Sequence, residues 1–346
     1  MKKNKKLTFV VFVILSSLIY SCQGIIWDMH ESQVNYLEPL HFLEPNDEFE
    51  VMWGMSEISL GYSNLRPTLT GGGGRIILEG LERETYLTGT IMGLDSITGN
   101  MIWKIPATGS GNGEKIIQNN ILYRGTTGVA VVQAYNIENG ELIWQTKLPQ
   151  AHSVTDIYSA ENKIFAYTSD SEFFVLNEKG GIVDSFPETL RVFLEMDGTL
   201  YMEDNFAIKA QNAFTRRELW RLEIEDYYTH APIFENGTIL LRTWNNPAYI
   251  YSIDQNTGKV NWKVLKDALS NLFVARRKVY FLDFDGCLVT IDQKSGSEIS
   301  RVEFSPPFDI ERRDGGYFVS GDLVNNILVV SFGDNNQIMG LKIKAP

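Results

Sequence analysis

The residue types that do chemistry are thinly spread in this chain. Its four histidines, His30, His41, His152 and His230, are far apart in sequence. His30 and His41 precede the first expected strand, and the two that remain are fewer than the three or four ligands a zinc site takes. Asp283 and Asp285 stand two apart and share one face if a strand runs through them, the arrangement that paired-carboxylate hydrolysis would use; a turn fits the surrounding pattern better. No HExxH, no phosphate-binding glycine loop ending in Lys-Ser/Thr and no Gly-x-Ser-x-Gly elbow occurs. The run Gly71 to Gly74 is not followed by a helical pattern that would present backbone N–H groups to an anion, so it reads as a loop. No catalytic residue, metal or cofactor is selected, and the expectation is a protein that binds.

One residue does carry a chemical expectation. Lys2, Lys3, Lys5 and Lys6 precede a mostly apolar run from Leu7 to Tyr20, which is the layout of an export signal. A run of 14 residues is short of the roughly 20 that span a bilayer as a helix. Ile19-Tyr20-Ser21-Cys22 resembles a bacterial lipoprotein box, which implies diacylglyceryl modification of Cys22, which then becomes the new N-terminus on removal of residues 1–21. The alternative is ordinary cleavage near Gly24. Cys287 is the only other cysteine, so an acylated Cys22 leaves it without a disulfide partner.

Charge excludes one class of partner. Loss of residues 1–21 removes four lysines and no acid, leaving 27 Lys and Arg against 43 Asp and Glu, a net −16. Such a surface repels nucleic-acid phosphate. The pairs Arg216-Arg217, Arg276-Arg277 and Arg312-Arg313 are separated from one another and read as solvated turn residues.

The elements that would position any binding surface come from an internal repeat. Leu94-Asp95-Ser96-Ile97-Thr98-Gly99-Asn100-Met101-Ile102-Trp103 recurs as Tyr135 to Trp144 and again as Ile253 to Trp262. Asp or Asn is followed four residues later by Gly, and Gly four later by Trp, in Asp95/Gly99/Trp103, Asn136/Gly140/Trp144 and Asp254/Gly258/Trp262. Weaker copies are Asn177 with Gly181 and Ser185, Asn212 with Arg216 and Trp220, and Asp292 with Gly296 and Ser300, at intervals of 41, 41, 35, 42 and 38 residues between Trp-equivalent positions. Alternating apolar stretches flank each polar loop, which predicts β-hairpins. The Asp or Asn side chain accepts loop N–H groups, and the glycine supplies the left-handed residue that returns the chain. A further strand precedes each hairpin, giving about four strands per roughly 40 residues, as in a propeller blade.

Recurrence in one register assigns the tryptophans to packing. Trp103, Trp144, Trp220 and Trp262 are expected to lie buried between neighbouring blades. Trp53, in Phe49-Glu50-Val51-Met52-Trp53, reads as a last strand without its hairpin, while the C-terminal strands lack a final Trp strand. The two ends complete each other, predicting one all-β propeller of seven four-stranded blades whose ends zip together so that no sheet edge is left open. The resulting division is a signal over 1–21, a tether over 22–48 and the propeller over 49–346.

The frame Asp-x-x-Thr-Gly-x-x-x-Trp, preceded by a turn such as Asp285-Gly286, resembles the pyrroloquinoline quinone (PQQ) type propeller repeat from about Trp53 onward. The resemblance implies one of two branches: quinoprotein dehydrogenases, which hold the quinone and calcium on the propeller axis, or cofactor-free binding proteins, including the propeller lipoprotein of the outer-membrane β-barrel assembly machinery. The dehydrogenases are longer, have eight blades and carry a vicinal Cys-Cys pair that this sequence lacks. The expectation is therefore a monomeric, non-catalytic, lipid-anchored scaffold, exported to the cell surface or outer membrane, binding an envelope protein or surface polymer through its loops. The alternative is a PQQ-dependent dehydrogenase or polysaccharide-active enzyme.

Overall fold

A computed structural model describes residues 41–44, 46–56, 62–68, 73–82, 89–107, 115–160, 162–187, 190–204, 206–224, 232–243, 248–306, 317–332 and 337–344. Every regular element among them is a β-strand, and among them no helix is long and apolar enough to cross a membrane. Two N-terminal strands, β1 (Phe42–Leu43) and β2 (Phe49–Ser56), precede the repeats. Blade 1 is β3 (Tyr62–Thr68), β4 (Arg75–Glu82), β5 (Gly89–Asp95) and β6 (Met101–Pro106). Blade 2 is β7 (Lys115–Gln118), β8 (Ile121–Gly125), β9 (Val131–Asn136) and β10 (Leu142–Lys147). Blade 3 is β11 (Val154–Ala160), β12 (Lys163–Thr168), β13 (Glu172–Asn177) and β14 (Ile182–Pro187). Blade 4 is β15 (Val192–Met196), β16 (Thr199–Asp204), β17 (Ala207–Asn212) and β18 (Glu218–Glu223). Blade 5 is β19 (Ile233–Glu235), β20 (Thr238–Arg242), β21 (Tyr249–Asp254) and β22 (Val260–Leu265). Blade 6 is β23 (Phe273–Ala275), β24 (Lys278–Leu282), β25 (Cys287–Asp292) and β26 (Glu298–Ser305). Blade 7 takes β27 (Phe318–Asp322), β28 (Ile327–Phe332) and β29 (Gln337–Ile343), with β2 as its fourth strand.

The ring closes as the sequence implies. β2 pairs with β29 from Phe49 opposite Ile343 to Ser56 opposite Gln337, and the innermost strand of blade 7, β27, touches β3 and β4 of blade 1. Seven antiparallel blades follow, with the middle strands of each almost wholly buried and the fourth strand exposed. That gradient explains why β8, β9, β12, β13 and β28 are near-continuous apolar runs while β6, β10 and β18 alternate.

Residues 41–44 and 46–48, expected as part of the tether, lie against the propeller instead. Phe42 and Leu43 pair with Ser305 and Phe304, adding a fifth strand to the outer edge of blade 6. Leu43 is buried in the apolar cluster shared by blades 6 and 7. The side-chain amide of Gln337 clasps the backbone of His41, accepting its N–H at 2.7 Å and donating to its carbonyl at 2.9 Å. Asn46 Oδ1 accepts the N–H groups of Glu48 and Phe49, as the Asp or Asn of each repeat turn does, so the chain entering β2 imitates the hairpin that blade 7 lacks. A two-residue strand carries no alternation of its own, and its pairing depends on the edge strand at Phe304 and Ser305, far along the chain.

Candidate functional site

Because successive strands in a blade are antiparallel, the turns joining first to second and third to fourth strands gather on one rim. The turns joining second to third strands, and the connections between blades, gather on the other. The repeat motif therefore builds the first rim. Its acids serve backbone: Asp95 Oδ1 accepts Thr98 N–H at 2.8 Å, Asp254 accepts Thr257 N–H at 2.8 Å, and Asp292 accepts Ser295 N–H at 2.7 Å. Asn136 takes Glu138 N–H at 2.8 Å. Hydrogen bonds from Thr257 and Ser295 hold the Asp254 and Asp292 carboxyls below the usual range, and at Asp95 those from Thr98 outweigh the upward push of burial. These carboxylates are committed to turns and do not converge on an oxygen-rich cage of the kind calcium takes.

Each repeat tryptophan reaches across to the next blade's turn. The indole N–H donates to a backbone carbonyl there: Trp53 to Ser96 at 2.8 Å, Trp103 to Ile137 at 2.7 Å, Trp144 to Glu178 at 2.8 Å, Trp220 to Gln255 at 3.0 Å and Trp262 to Gln293 at 3.0 Å. The ring also covers the turn glycine. A Cβ on Gly140 would lie 2.6 Å from Trp103, and one on Gly258 2.5 Å from Trp220, so these positions need glycine both for their left-handed φ of 74° and 68° and for space. Gly99 and Gly296 are covered in the same way by Trp53 and Trp262. Trp53, Trp103 and Trp220 are buried, whereas Trp144 and Trp262, expected to be buried as well, are half-buried.

Two junctions depart from this pattern. The left-handed residue of the blade 3 turn is Gly180, not Gly181, and its Cβ position falls 2.6 Å from Trp144. That turn is one residue shorter, so the Trp-equivalent position is Asp184, opposite Val175, and not Ser185. With no Trp on blade 3, the facing turn in blade 4 needs no glycine. Arg216 takes the left-handed position at φ 58° and lays its guanidinium 4.3 Å from the Phe186 ring centroid. At blade 6 the position is Ser300, whose hydroxyl donates to Glu48 of the entering N-terminal segment, and Lys278 pairs with Glu48 at 3.3 Å.

Charges elsewhere are tied up between strands. Arg124, fully buried, donates to Glu79 Oε1 at 2.7 Å and to Gln133 at 3.0 Å, and Lys115 reaches Glu79 Oε2 at 2.7 Å. Burial alone would raise the Glu79 carboxyl, but Lys115 and Arg124 hold it below its ordinary value. Arg191 bridges Asp156 in blade 3 to Glu203 in blade 4. Asp283 does belong to a turn, accepting the N–H groups of Asp285 and Cys287 while pairing with Arg301, so it and Asp285 do not form a hydrolytic pair. Burial pushes the Cys287 thiol up. On the loop rim His152 Nδ1 sits 2.8 Å from Asp170, while His41 is buried at the seam between blades 6 and 7. Among the described residues no group of three His, Cys, Asp or Glu could hold a metal ion. Cys22, His30 and His230 lie outside the described residues.

The family model of outer membrane protein assembly factor BamB matches residues 87–184 and 190–338. The chain belongs to this family. Among solved structures it is similar to BamB from Moraxella catarrhalis, with 14% identity and a TM-score of 0.51 over 80% of this chain and 84% of that one. It is also similar to the computationally designed Ika8 protein, with 13% identity and a TM-score of 0.55 over 86% of this chain and all of that one. At such identities the two structures show the fold alone. No curated protein sequence matches the chain.

Proposed function

We propose that this chain is a non-catalytic scaffold of the bacterial cell envelope, anchored by lipid at Cys22 and holding another envelope protein against its propeller rims. The observation that carries the reading is membership of the BamB family over most of the ring, in a chain whose repeat acids and tryptophans serve turns and blade contacts. The family is that of an outer membrane protein assembly factor, and the partner class we infer for this chain is an envelope protein engaged in such assembly. The dyed-in constraint is geometric: a rigid ring displays many short loops at fixed spacing, which suits recognition of an extended protein surface.

The test is to express the full chain and a Cys22→Ala variant with radiolabelled palmitate, fractionate the envelope and crosslink. The expected result is label and membrane association in wild type, loss of both in the variant, and one defined envelope protein crosslinked to wild type. A soluble, unlabelled wild-type chain would refute the anchor. Stoichiometric binding of PQQ with calcium and turnover of an alcohol would refute the scaffold.

A further inference from the structure

We propose that the blade 4 turn carrying Phe214, Arg216 and Arg217 is a docking surface for an acidic, leucine-bearing segment of a partner protein; this rests on the protein-binding reading above. Phe214 is 83% exposed, more than any other large hydrophobic residue among those described. The same place in other turns holds Ile97, Glu138, Asn256 and Lys294. Phe214 is nonetheless fixed. Its N–H donates to Asn212 Oδ1 at 3.1 Å, that oxygen also takes Thr215 N–H at 2.8 Å, and Arg216 N–H closes the turn on the Asn212 carbonyl at 3.0 Å. One ring edge lies over Gly198 of the neighbouring hairpin, 3.1 Å from where a Cβ would stand. An exposed aromatic carried on a fixed turn loses little backbone freedom on binding, which is a property of an interface anchor.

The second observation is what the repeat gives up here. At this junction alone among the turns facing a third, fourth or fifth blade, both partners of the Trp–Gly pair are missing: Asp184 stands at the Trp position and Arg216 at the glycine, in a left-handed conformation that side chains other than Gly adopt with strain. The stack on Phe186 orients the Arg216 guanidinium at the rim, and Arg217, exposed beside it, makes no ion pair among the described residues. In a chain of net charge −12, Arg216 and Arg217 set two guanidinium groups within three residues of an exposed phenylalanine. Carboxylates complement the guanidinium forks, and an aliphatic side chain complements the ring.

The experiment titrates the mature chain into a fluorescein-labelled peptide of Glu, Leu and Ser, into its Gln-for-Glu twin, and into phosphatidylglycerol vesicles. Expected are saturable binding of the Glu peptide, at least about tenfold weaker binding of the Gln twin, and about tenfold loss on Arg216→Glu/Arg217→Glu and on Phe214→Ser. Lys147→Glu, on another blade, should leave binding unchanged. Should the double variant melt early, Arg217→Glu alone carries the test, since its side chain lies outside the Phe186 stack. Equal binding of the two peptides, no binding of either, or binding of vesicles in place of peptide overturns the proposal. If the double variant still crosslinks the envelope protein that wild type does, the scaffold reading stands and only this surface falls.

Discussion

Replacing Gly140 by Ala probes the glue between blades 1 and 2. The residue has φ 74°, a conformation costing an L-residue about 1–2 kcal/mol. The new Cβ would stand 2.6 Å from Trp103 Cε3 and 2.9 Å from Cδ2, so the ring must shift and give up part of its packing, about 1–3 kcal/mol more. The total loss expected is about 2–5 kcal/mol. Trp103→Ala, removing a buried ring and leaving the Ile137 carbonyl without its indole donor, should cost about 3–5 kcal/mol. With the ring gone, Gly140→Ala keeps only its conformational cost. The double variant should therefore fall short of the sum of the singles by about 1–3 kcal/mol. Urea unfolding followed by circular dichroism, with the slopes compared to check that the same surface is exposed, measures all four corners. The chain carries its own control, because Arg216 already occupies the equivalent position where no Trp stands: Arg216→Gly should change stability by less than about 1 kcal/mol, relief of strain offsetting the lost stack on Phe186. Additivity within about 0.5 kcal/mol at Trp103 and Gly140 would show that ring and glycine do not act together and would refute the account of blade docking.

Glu79→Gln should destabilise at pH 7 by about 3 kcal/mol, since it leaves Arg124 and Lys115 buried with half a partner. The folded-state Glu79 pKa lies below its ordinary 4.5, so the stability that ionised Glu79 contributes is present above that value and is lost as pH falls through the folded pKa; wild-type and variant melting curves should converge at acid pH, and a gap that widens there would overturn the assignment. Trp144→Ala should cost less than Trp103→Ala, about 1–3 kcal/mol, because Trp144 is only half-buried. Leu43→Ala should cost about 2–4 kcal/mol by emptying the seam between blades 6 and 7; a loss under about 0.5 kcal/mol would return residues 41–48 to the tether. Thr290→Val should be neutral or stabilising, since the buried hydroxyl makes no hydrogen bond.

Much of the ring was legible because a repeat states its rule several times. Asp95, Asn136 and Asp254, with their glycines and tryptophans, specify a local hairpin whose bonds close within five residues, and blade number followed from counting the spacing and matching the unpaired ends. Where the repeat weakens, spacing alone misplaces a position. A one-residue shortening after Asn177 moves the Trp position from Ser185 to Asp184, which is invisible without the register of β13 against β14.

By itself the sequence determined the repeated strands, their period and the closure, since strand alternation and turn chemistry are set by near neighbours in the chain. Only the tertiary structure decided what meets across blades. Gln337 clasping His41, Arg124 and Lys115 on Glu79, and Arg216 on Phe186 join residues 296, 45, 36 and 30 positions apart. Such contacts depend on the angle and distance between neighbouring blades, which packing of the whole ring sets and no local pattern records.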